Sequence, residues 1–226
     1  MQQFINQLLP NVVTKIPELL KSLGQTLYMM GLSGAIAFVI GLFLGVLLIV
    51  TKKGNVMEQP IVYNILDKVI NVFRSIPFII LLAALIPLTR LVAGTAIGTK
   101  GAILPLVFGT VPFFARQVES ALAEMDRGLV EAAQAMGSSP MEIVFRVYLK
   151  ESIPGIVRAT TITFISLVGL TAMAGAVGGG GLGDFAIRYG HQRNQVDVTY
   201  VTVIILLIVV NVIQGIGNVI IKKTTH

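Results

Sequence analysis

Residues 24–50 form an apolar block without a single charged side chain. At about 1.5 Å of rise per residue, a helix over this block is about 40 Å long, enough to cross the ~30 Å hydrocarbon core of a bilayer. Further apolar blocks follow at about 69–92, 101–115, 156–177 and 198–221. With 54% hydrophobic and 12% charged residues, the chain has more apolar surface than a soluble core needs. The pattern predicts an all-α, polytopic membrane helix bundle with about five transmembrane helices.

The distribution of lysine and arginine predicts the orientation. If the N-terminus is outside and the C-terminus inside, eleven of the 17 basic residues lie at cytoplasmic segments and six lie outside. The positive-inside rule therefore favours this topology, in a multi-pass protein of the plasma or inner membrane. The net charge of +6 has the same explanation, so we expect no nucleic-acid partner. Residues 1–21 lack the pattern of a cleavable signal peptide, and an apolar stripe broken by Pro10 and Pro17 predicts an amphipathic segment at the outer surface.

A polar stretch at 124–152 carries the most specific local signals. An Ala-rich helix is predicted to end at Gly137, which can adopt the left-handed conformation that closes a helix. A second helix then begins, with Ser139 as N-cap, Pro140 at the first position and Glu142 completing a capping box. Its apolar residues are spaced as one face: Met141, Val144, Phe145, Tyr148 and Leu149. A helix–glycine–helix unit on the water side of a membrane protein is typical of a docking element.

The chain offers no recognisable catalytic, metal or cofactor site. It contains no cysteine. The run Gly178–Gly183 lacks the Lys-Ser/Thr pair of a phosphate-binding loop and is predicted to be a flexible turn. The pattern Gly31–Gly34 surrounds a serine without a nearby base, so small-residue helix packing explains it better. We therefore expect no enzymatic activity in this chain, and transport energy would come from a partner or an ion gradient.

Several side chains near or within the apolar blocks are candidates for a transport pathway. In the fourth block Ser166 and Thr171 suit either close helix contact or a weakly binding path, and Met173 suits core filling or a constriction. Arg74 is either functional or reaches the cytoplasmic interface. Arg116 and Glu119 are spaced for an ordinary ion pair, with a gate or dimer contact as the alternative.

The whole chain resembles the permease subunit of methionine-type ABC importers. The resemblance rests on four motifs in order: Phe73-Arg-Ser-Ile-Pro-Phe78, Val111-Pro-Phe-Phe-Ala-Arg116, Glu131-Ala-Ala with Met136-Gly137 and Pro140, and the segment Ala172–Gly183. It implies one permease domain over 1–226 and a homodimer enclosing the path. It also implies two ATPase subunits inside and a substrate-binding protein outside. ATP-driven movement would reach the membrane through the coupling loop 124–152.

The resemblance also assigns residues. It implies that the ATPase contacts Glu131, Ala132, Ala133, Met136, Gly137, Ser138 and Pro140. Ala132 and Ala133 would let the helix sit deep in the ATPase groove, and Met173 would form the outer gate. Lys150 stands where the general motif has proline, which should let the second helix run on toward Pro154.

Methionine as the substrate comes from this resemblance alone. An ABC permease for another amino acid or small organic nutrient is one alternative. A secondary transporter without an ATPase is the other, and it is disfavoured because Asp67, Glu119 and Asp184 lie near predicted helix ends and none lies at the middle of a span.

Overall fold

A computed structural model describes residues 9–225, and these residues are almost entirely helical. The helices are α1 Pro10–Val13, α2 Ile16–Thr51, α3 Pro60–Ser75, α4 Phe78–Ala84, α5 Ile86–Ala93, α6 Gly98–Ala123, α7 Arg127–Ala135, α8 Pro140–Ile143, α9 Leu149–Glu151, α10 Ile153–Ala174, α11 Gly181–Phe185 and α12 Val196–Thr224. Between them lie two π-helical turns, Val144–Tyr148 and Ala186–His191, and a kinked segment at Gly175–Gly179 in which Val177 and Gly178 are not helical.

Among the residues that the structure describes, four helices are long and apolar enough to cross a membrane: Ile16–Thr51, Gly98–Ala123, Ile153–Gly179 and Val196–Thr224. They correspond to four of the five predicted blocks and confirm the all-α membrane bundle.

The remaining predicted block, 69–92, is broken rather than continuous. α3 ends at Ser75, and Ile76 is extended (φ −82°, ψ 122°) because the following Pro77 disfavours helical geometry at the residue before it. The chain then continues as the two short helices α4 and α5, separated at Leu85. This segment is therefore built from pieces and not from one membrane-length helix.

Only residues 9–21 of the predicted outer segment 1–21 are described by the structure. Residues 1–8 lie outside them. Pro10 begins α1, and Pro17 lies in the first turn of α2, where a proline without an N–H is tolerated. Of the apolar stripe, Val12 and Leu19 are buried against other helices of the protein. The placement of the segment at the outer membrane surface stays a prediction.

The described residues form two compact units, each drawn from three separate stretches of chain. Unit A comprises 9–34, 77–107 and 164–213, and its core is formed by Val12, Leu19, Leu182, Phe185 and Val198. Unit B comprises 35–76, 108–163 and 214–225. Its core includes Ile49, Phe114, Val118, Val130, Ile143 and Tyr148. Because both units are discontinuous in sequence, no domain boundary can be drawn along the chain.

Glycines bring helices close together within each unit, as the small-residue pattern predicted. In unit B, a Cβ added at Gly45 would lie 2.6 Å from the Cβ of Val118 and 2.7 Å from the carbonyl oxygen of Ala115. In unit A, a Cβ at Gly34 would lie 2.6 Å from the ring of Phe164. Ser33 is buried and its hydroxyl lies 3.5 Å from the Ile103 carbonyl oxygen. These contacts support a packing role for this part of α2.

Candidate functional site in the coupling loop

The first half of the coupling loop is α7, which begins at a side-chain cap. The Asp126 carboxylate accepts a hydrogen bond of 2.8 Å from the Gly128 N–H, which satisfies one of the free donors at the helix start. Val130 and Ala133 face inward and pack in the core of unit B. Leu129, Glu131 and neighbouring residues lie on the opposite, exposed face. The helix is thus anchored on one side and open to a partner on the other.

Gly137 adopts the predicted left-handed conformation, with φ +79°. Its N–H donates to the Gln134 carbonyl at 2.9 Å, and the Ser138 N–H donates to the Ala133 carbonyl at 3.0 Å. This pair of bonds is the Schellman arrangement that closes a helix. A Cβ at Gly137 would meet nothing within 4 Å, so backbone conformation and not space requires glycine here.

The predicted capping box at the start of α8 is present. The Glu142 N–H donates to the Ser139 hydroxyl oxygen at 3.3 Å, and the Ser139 N–H donates to the Glu142 carboxylate at 2.9 Å. Hydrogen bonds from the backbone N–H and then the hydroxyl of Ser139 lower the pKa of Glu142 below its usual value of 4.5. Gly137 and this capping box together set the direction in which the chain turns between α7 and α8.

The second half of the loop runs without a break from Pro140 to Glu151, as the lysine at position 150 predicted. Its predicted single apolar face is divided in two. Val144 and Tyr148 are buried in the core of unit B, whereas Met141 (55% exposed) and Phe145 (61%) lie on the surface. The wide π-helical turn at Val144–Tyr148 changes the 3.6-residue register on which the prediction relied.

The structure places the seven predicted coupling residues in two groups. Six of them, Glu131, Ala132, Met136, Gly137, Ser138 and Pro140, are exposed or partly exposed. Ala133 is only 5% exposed and belongs to the core of unit B, so in this structure it packs inside the protein and not on an external groove. Met136 is 79% exposed. Leu129, Met141 and Phe145 of the same loop are exposed as well.

Glu131 borders a cleft of about 250 Å³ in unit B. Gln134 lines the same side, and the segment Lys52–Val56 after α2 lines the other. No ion pair within 4.0 Å involves Glu131 among residues 9–225. Its carboxylate is therefore free to accept hydrogen bonds from a partner protein.

The predicted pathway residues of α10 do not share one face. Ser166 and Met173 are exposed, and Gly169 between them is exposed as well, so the three lie along one exposed strip of the helix. Thr171 is buried, and its hydroxyl donates to the Val168 carbonyl at 2.7 Å. Arg74 is exposed in the last turn of α3, within unit B.

The predicted Arg116–Glu119 ion pair forms, at 2.5 Å, and extends further than the sequence indicated. Arg116 also reaches the Asp67 carboxylate at 2.6 Å and the Asn71 side-chain oxygen at 3.1 Å. Both of these partners lie on α3, so the arginine joins α3 to α6 within unit B. Glu119 is buried, and this placement makes the network a structural link.

The run Gly178–Gly183 is anchored, which corrects the prediction of a flexible turn. The Gln25 side-chain oxygen accepts a hydrogen bond of 2.9 Å from the Gly181 N–H, and the Thr26 hydroxyl accepts one of 2.8 Å from the Leu182 N–H. A Cβ at Gly183 would lie 2.2 Å from the Ala172 carbonyl oxygen. The glycines are needed for this close packing. Gln25 and Thr26 are 156 residues away from the residues they cap, so no local signal could have identified them.

Among residues 9–225, no group of three or more His, Cys, Asp or Glu side chains is arranged to hold a metal ion.

Comparison with known proteins agrees with the family resemblance over most of the chain. The family described as "Binding-protein-dependent transport system inner membrane component" matches residues 37–225. A probable D-methionine transport system permease protein of Vibrio cholerae serotype O1 is 48% identical over 208 residues, covering 92% of each chain. The methionine import system permease protein of Bacillus subtilis (strain 168) is 45% identical over 211 residues, covering 93% of this chain and 94% of the relative.

Solved structures give the same grouping. The chain aligns with an inward-facing structure of the MetNI methionine ABC transporter at a TM-score of 0.92 and 46% identity, covering 94% of this chain and 99% of that one. An amino acid ABC transporter solved with histidines shares the fold, with a TM-score of 0.78 at 18% identity. The chain therefore belongs to the family of inner membrane components of binding-protein-dependent transport systems, and within it to the methionine-type ABC importer permeases that its sequence motifs predicted.

Proposed function

We propose that this chain is the permease subunit of an ATP-driven importer of methionine. The observation that carries the proposal is the 46% identity to the MetNI permease chain over 94% of this sequence, with a TM-score of 0.92. Two copies form the path, because a single set of spans is too small a bundle to enclose an amino acid, and a two-fold axis can run along their interface.

The coupling loop docks on a separate ATPase subunit inside the cell. This role is supported by four large apolar side chains that the loop exposes and that a docked partner would cover: Leu129, Met136, Met141 and Phe145. Glu131 adds an exposed carboxylate on the same loop. Ala133 supports the loop from behind by packing in the core, which assigns it a positioning role instead of direct contact.

ATP hydrolysis takes place in that partner and not in this chain. The glycine run at 178–183 has no lysine to bind a phosphate, and its N–H groups at positions 181 and 182 already bond to Gln25 and Thr26. A substrate-binding protein delivers methionine on the outer side. Closure of the two ATPases moves the coupling loops and alternates the path between inward-facing and outward-facing states.

Ser166 and Met173 line the path, with Met173 as the outer gate. Both are exposed in the single chain and are separated by the exposed Gly169, so a second copy can face them at close range. The Thr171 hydroxyl bonds within its own helix, which supports a packing role. Arg74 lies in the last turn of α3, which ends at Ser75 shortly before the break at Pro77, and a charge at this position can move with the broken segment.

The direct test is uptake of radiolabelled methionine by cells that lack this gene. Complementing copies carry the wild-type sequence or Glu131→Lys, and other labelled amino acids serve as controls. We expect wild type alone to restore energy-dependent methionine uptake. Uptake that never depended on the gene, or that follows another amino acid instead, refutes the substrate assignment. Normal uptake with Glu131→Lys refutes the role of Glu131 and leaves the substrate assignment standing.

A further inference from the structure

The segment after α2, residues 52–59, is folded back onto the end of that helix. The N–H groups of Met57 and Gln59 donate to the carbonyls of Val50 (3.0 Å) and Thr51 (2.9 Å). The Asn55 side-chain amide donates to the Ile49 carbonyl at 2.5 Å. A helix normally leaves its last carbonyls without intrahelical partners. Here three of these carbonyls accept hydrogen bonds from the segment, which attach it firmly to the end of α2.

The coupling loop holds this segment at two points. The Arg127 guanidinium donates to the Gly54 carbonyl at 3.2 Å, and the Tyr148 hydroxyl lies 3.4 Å from the side-chain oxygen of Asn55. Arg127 begins α7 and Tyr148 ends the π-helical turn, so the two contacts come from opposite halves of the loop, on either side of Gly137. Both halves of the coupling loop therefore contact the segment 52–59.

Tyr148 is well suited to hold its contact. Its ring is buried among core residues of unit B, including Val130 and Ile143, so the hydroxyl is fixed in position. Burial raises the pKa of Tyr148, against a smaller opposing effect of the Arg127 charge, so the hydroxyl remains a protonated donor at neutral pH. Arg127 is exposed and has no carboxylate within 4.0 Å among the described residues, and its bond to Gly54 is charge-assisted.

We propose that Arg127, Tyr148 and Asn55 are positioning residues that transmit movement of the coupling loop to the first membrane helix, α2. The chain itself connects the loop only to α6 and α10, so α2 must follow through non-covalent contacts. Ile49 of α2 and Val130 of the loop belong to one apolar core, and apolar packing is non-directional and does not fix the register between α2 and the loop. The two hydrogen bonds of Arg127 and Tyr148, at separate points, do fix this register. The inference rests on the proposed function, because it concerns how ATP-driven movement reaches the membrane.

The test compares transport with ATP hydrolysis in the purified complex of permease, ATPase and substrate-binding protein, reconstituted in lipid vesicles. The variant is Arg127→Ala with Tyr148→Phe, which removes both contacts and keeps the buried ring. The matched control is Arg90→Ala with Tyr200→Phe, the same chemical changes at two exposed positions elsewhere. Methionine transported per ATP hydrolysed is measured for each.

We expect the Arg127/Tyr148 variant to hydrolyse ATP at the wild-type rate and to transport at least about fivefold less methionine per ATP, the lower end of typical coupling between sites. The control variant should match wild type. An unchanged ratio in the Arg127/Tyr148 variant overturns the inference. If the two residues only stabilised the fold, the variant would yield less active complex but the same amount of methionine transported per ATP. That outcome would therefore also overturn the inference.

If the double variant does not assemble, Arg127→Ala alone decides, because an exposed side chain can be truncated without opening the core. A lower ratio supports the inference and an unchanged ratio overturns it. Failure of the proposed function is distinguishable, since the wild-type complex itself would then not transport methionine in the same vesicles.

Discussion

Substitution of Gly137 tests the coupling loop most directly, because the structure separates backbone strain from steric clash at this position. With φ at +79°, an L-residue pays about 1–2 kcal/mol to remain left-handed, and a β-branched residue more. A side chain meets nothing within 4 Å in the protein itself, so no steric cost is added. The chain can relieve the strain only by leaving the left-handed region. That change breaks the bonds from the Gly137 and Ser138 N–H groups, which contribute about 0.5–1.5 kcal/mol each.

A cost of about 2 kcal/mol lowers the population of correctly shaped loops by roughly thirtyfold, since every 1.4 kcal/mol is a factor of ten. We therefore expect Gly137→Val to reduce coupled methionine transport by about this factor while the amount of membrane-inserted protein stays near wild type. Gly137→Ala should fall between wild type and Val. Gly137→Asn should retain most activity, because asparagine tolerates the left-handed conformation.

The assay is initial-rate uptake of labelled methionine in reconstituted vesicles, with ATP hydrolysis measured in parallel. Asparagine and valine are similar in volume, so the comparison separates conformation from bulk in a docked complex. Wild-type transport by Gly137→Val would falsify the argument from backbone strain. Equal loss in the Asn and Val variants would show that the docking groove rejects any side chain, and conformation would then not be the cause.

Three further predictions concern stability and titration. Gly45→Ala should destabilise the purified protein by about 1–3 kcal/mol, because the added methyl overlaps packed atoms, whereas Gly24→Ala, with open space around it, should not; thermal unfolding in detergent measures both. Thr26→Val should cost about 1–3 kcal/mol in the same assay, because it leaves the buried Leu182 N–H without an acceptor, and a melting temperature equal to wild type contradicts that role. The Glu142 carboxyl should titrate below 4.5 when followed by NMR. Since its folded pKa is lowered, its capping contribution is present above the unfolded pKa and is lost as pH falls through the folded one. Glu142→Gln should keep the cap and remove this pH dependence, and a midpoint at or above 4.5 in wild type contradicts the capping geometry.

Where a structural feature depends on nearby residues, the sequence predicted it correctly. Four of the five apolar blocks became membrane-length helices because a long uncharged run has no other way to satisfy its backbone in lipid. The left-handed Gly137 and the capping box of Ser139 and Glu142 also followed from local chemistry, since their bonds join residues three to five positions apart. The family followed from motifs spread over most of the chain.

The direction in which individual side chains point was decided by tertiary packing. Phe145 turns outward while Tyr148 of the same predicted face turns inward, because a π-helical turn shifts the register and periodicity alone assumes a regular helix. Ala133, on the preceding helix α7, turns inward because it packs in the core of unit B. That Pro77 breaks the predicted block 69–92 was seen only in the structure, since proline can either bend or break a helix.

Only the folded structure could show the contacts between residues far apart in sequence. These include the caps from Gln25 and Thr26 on the glycine run, the link from Arg116 to Asp67, and the two contacts of the coupling loop with Gly54 and Asn55. A single sequence gives no signal that identifies such pairs, because each partner is an ordinary polar residue in its own segment. The sequence by itself determined the class of protein and the shape of its coupling loop, and the tertiary structure decided which helices that loop holds.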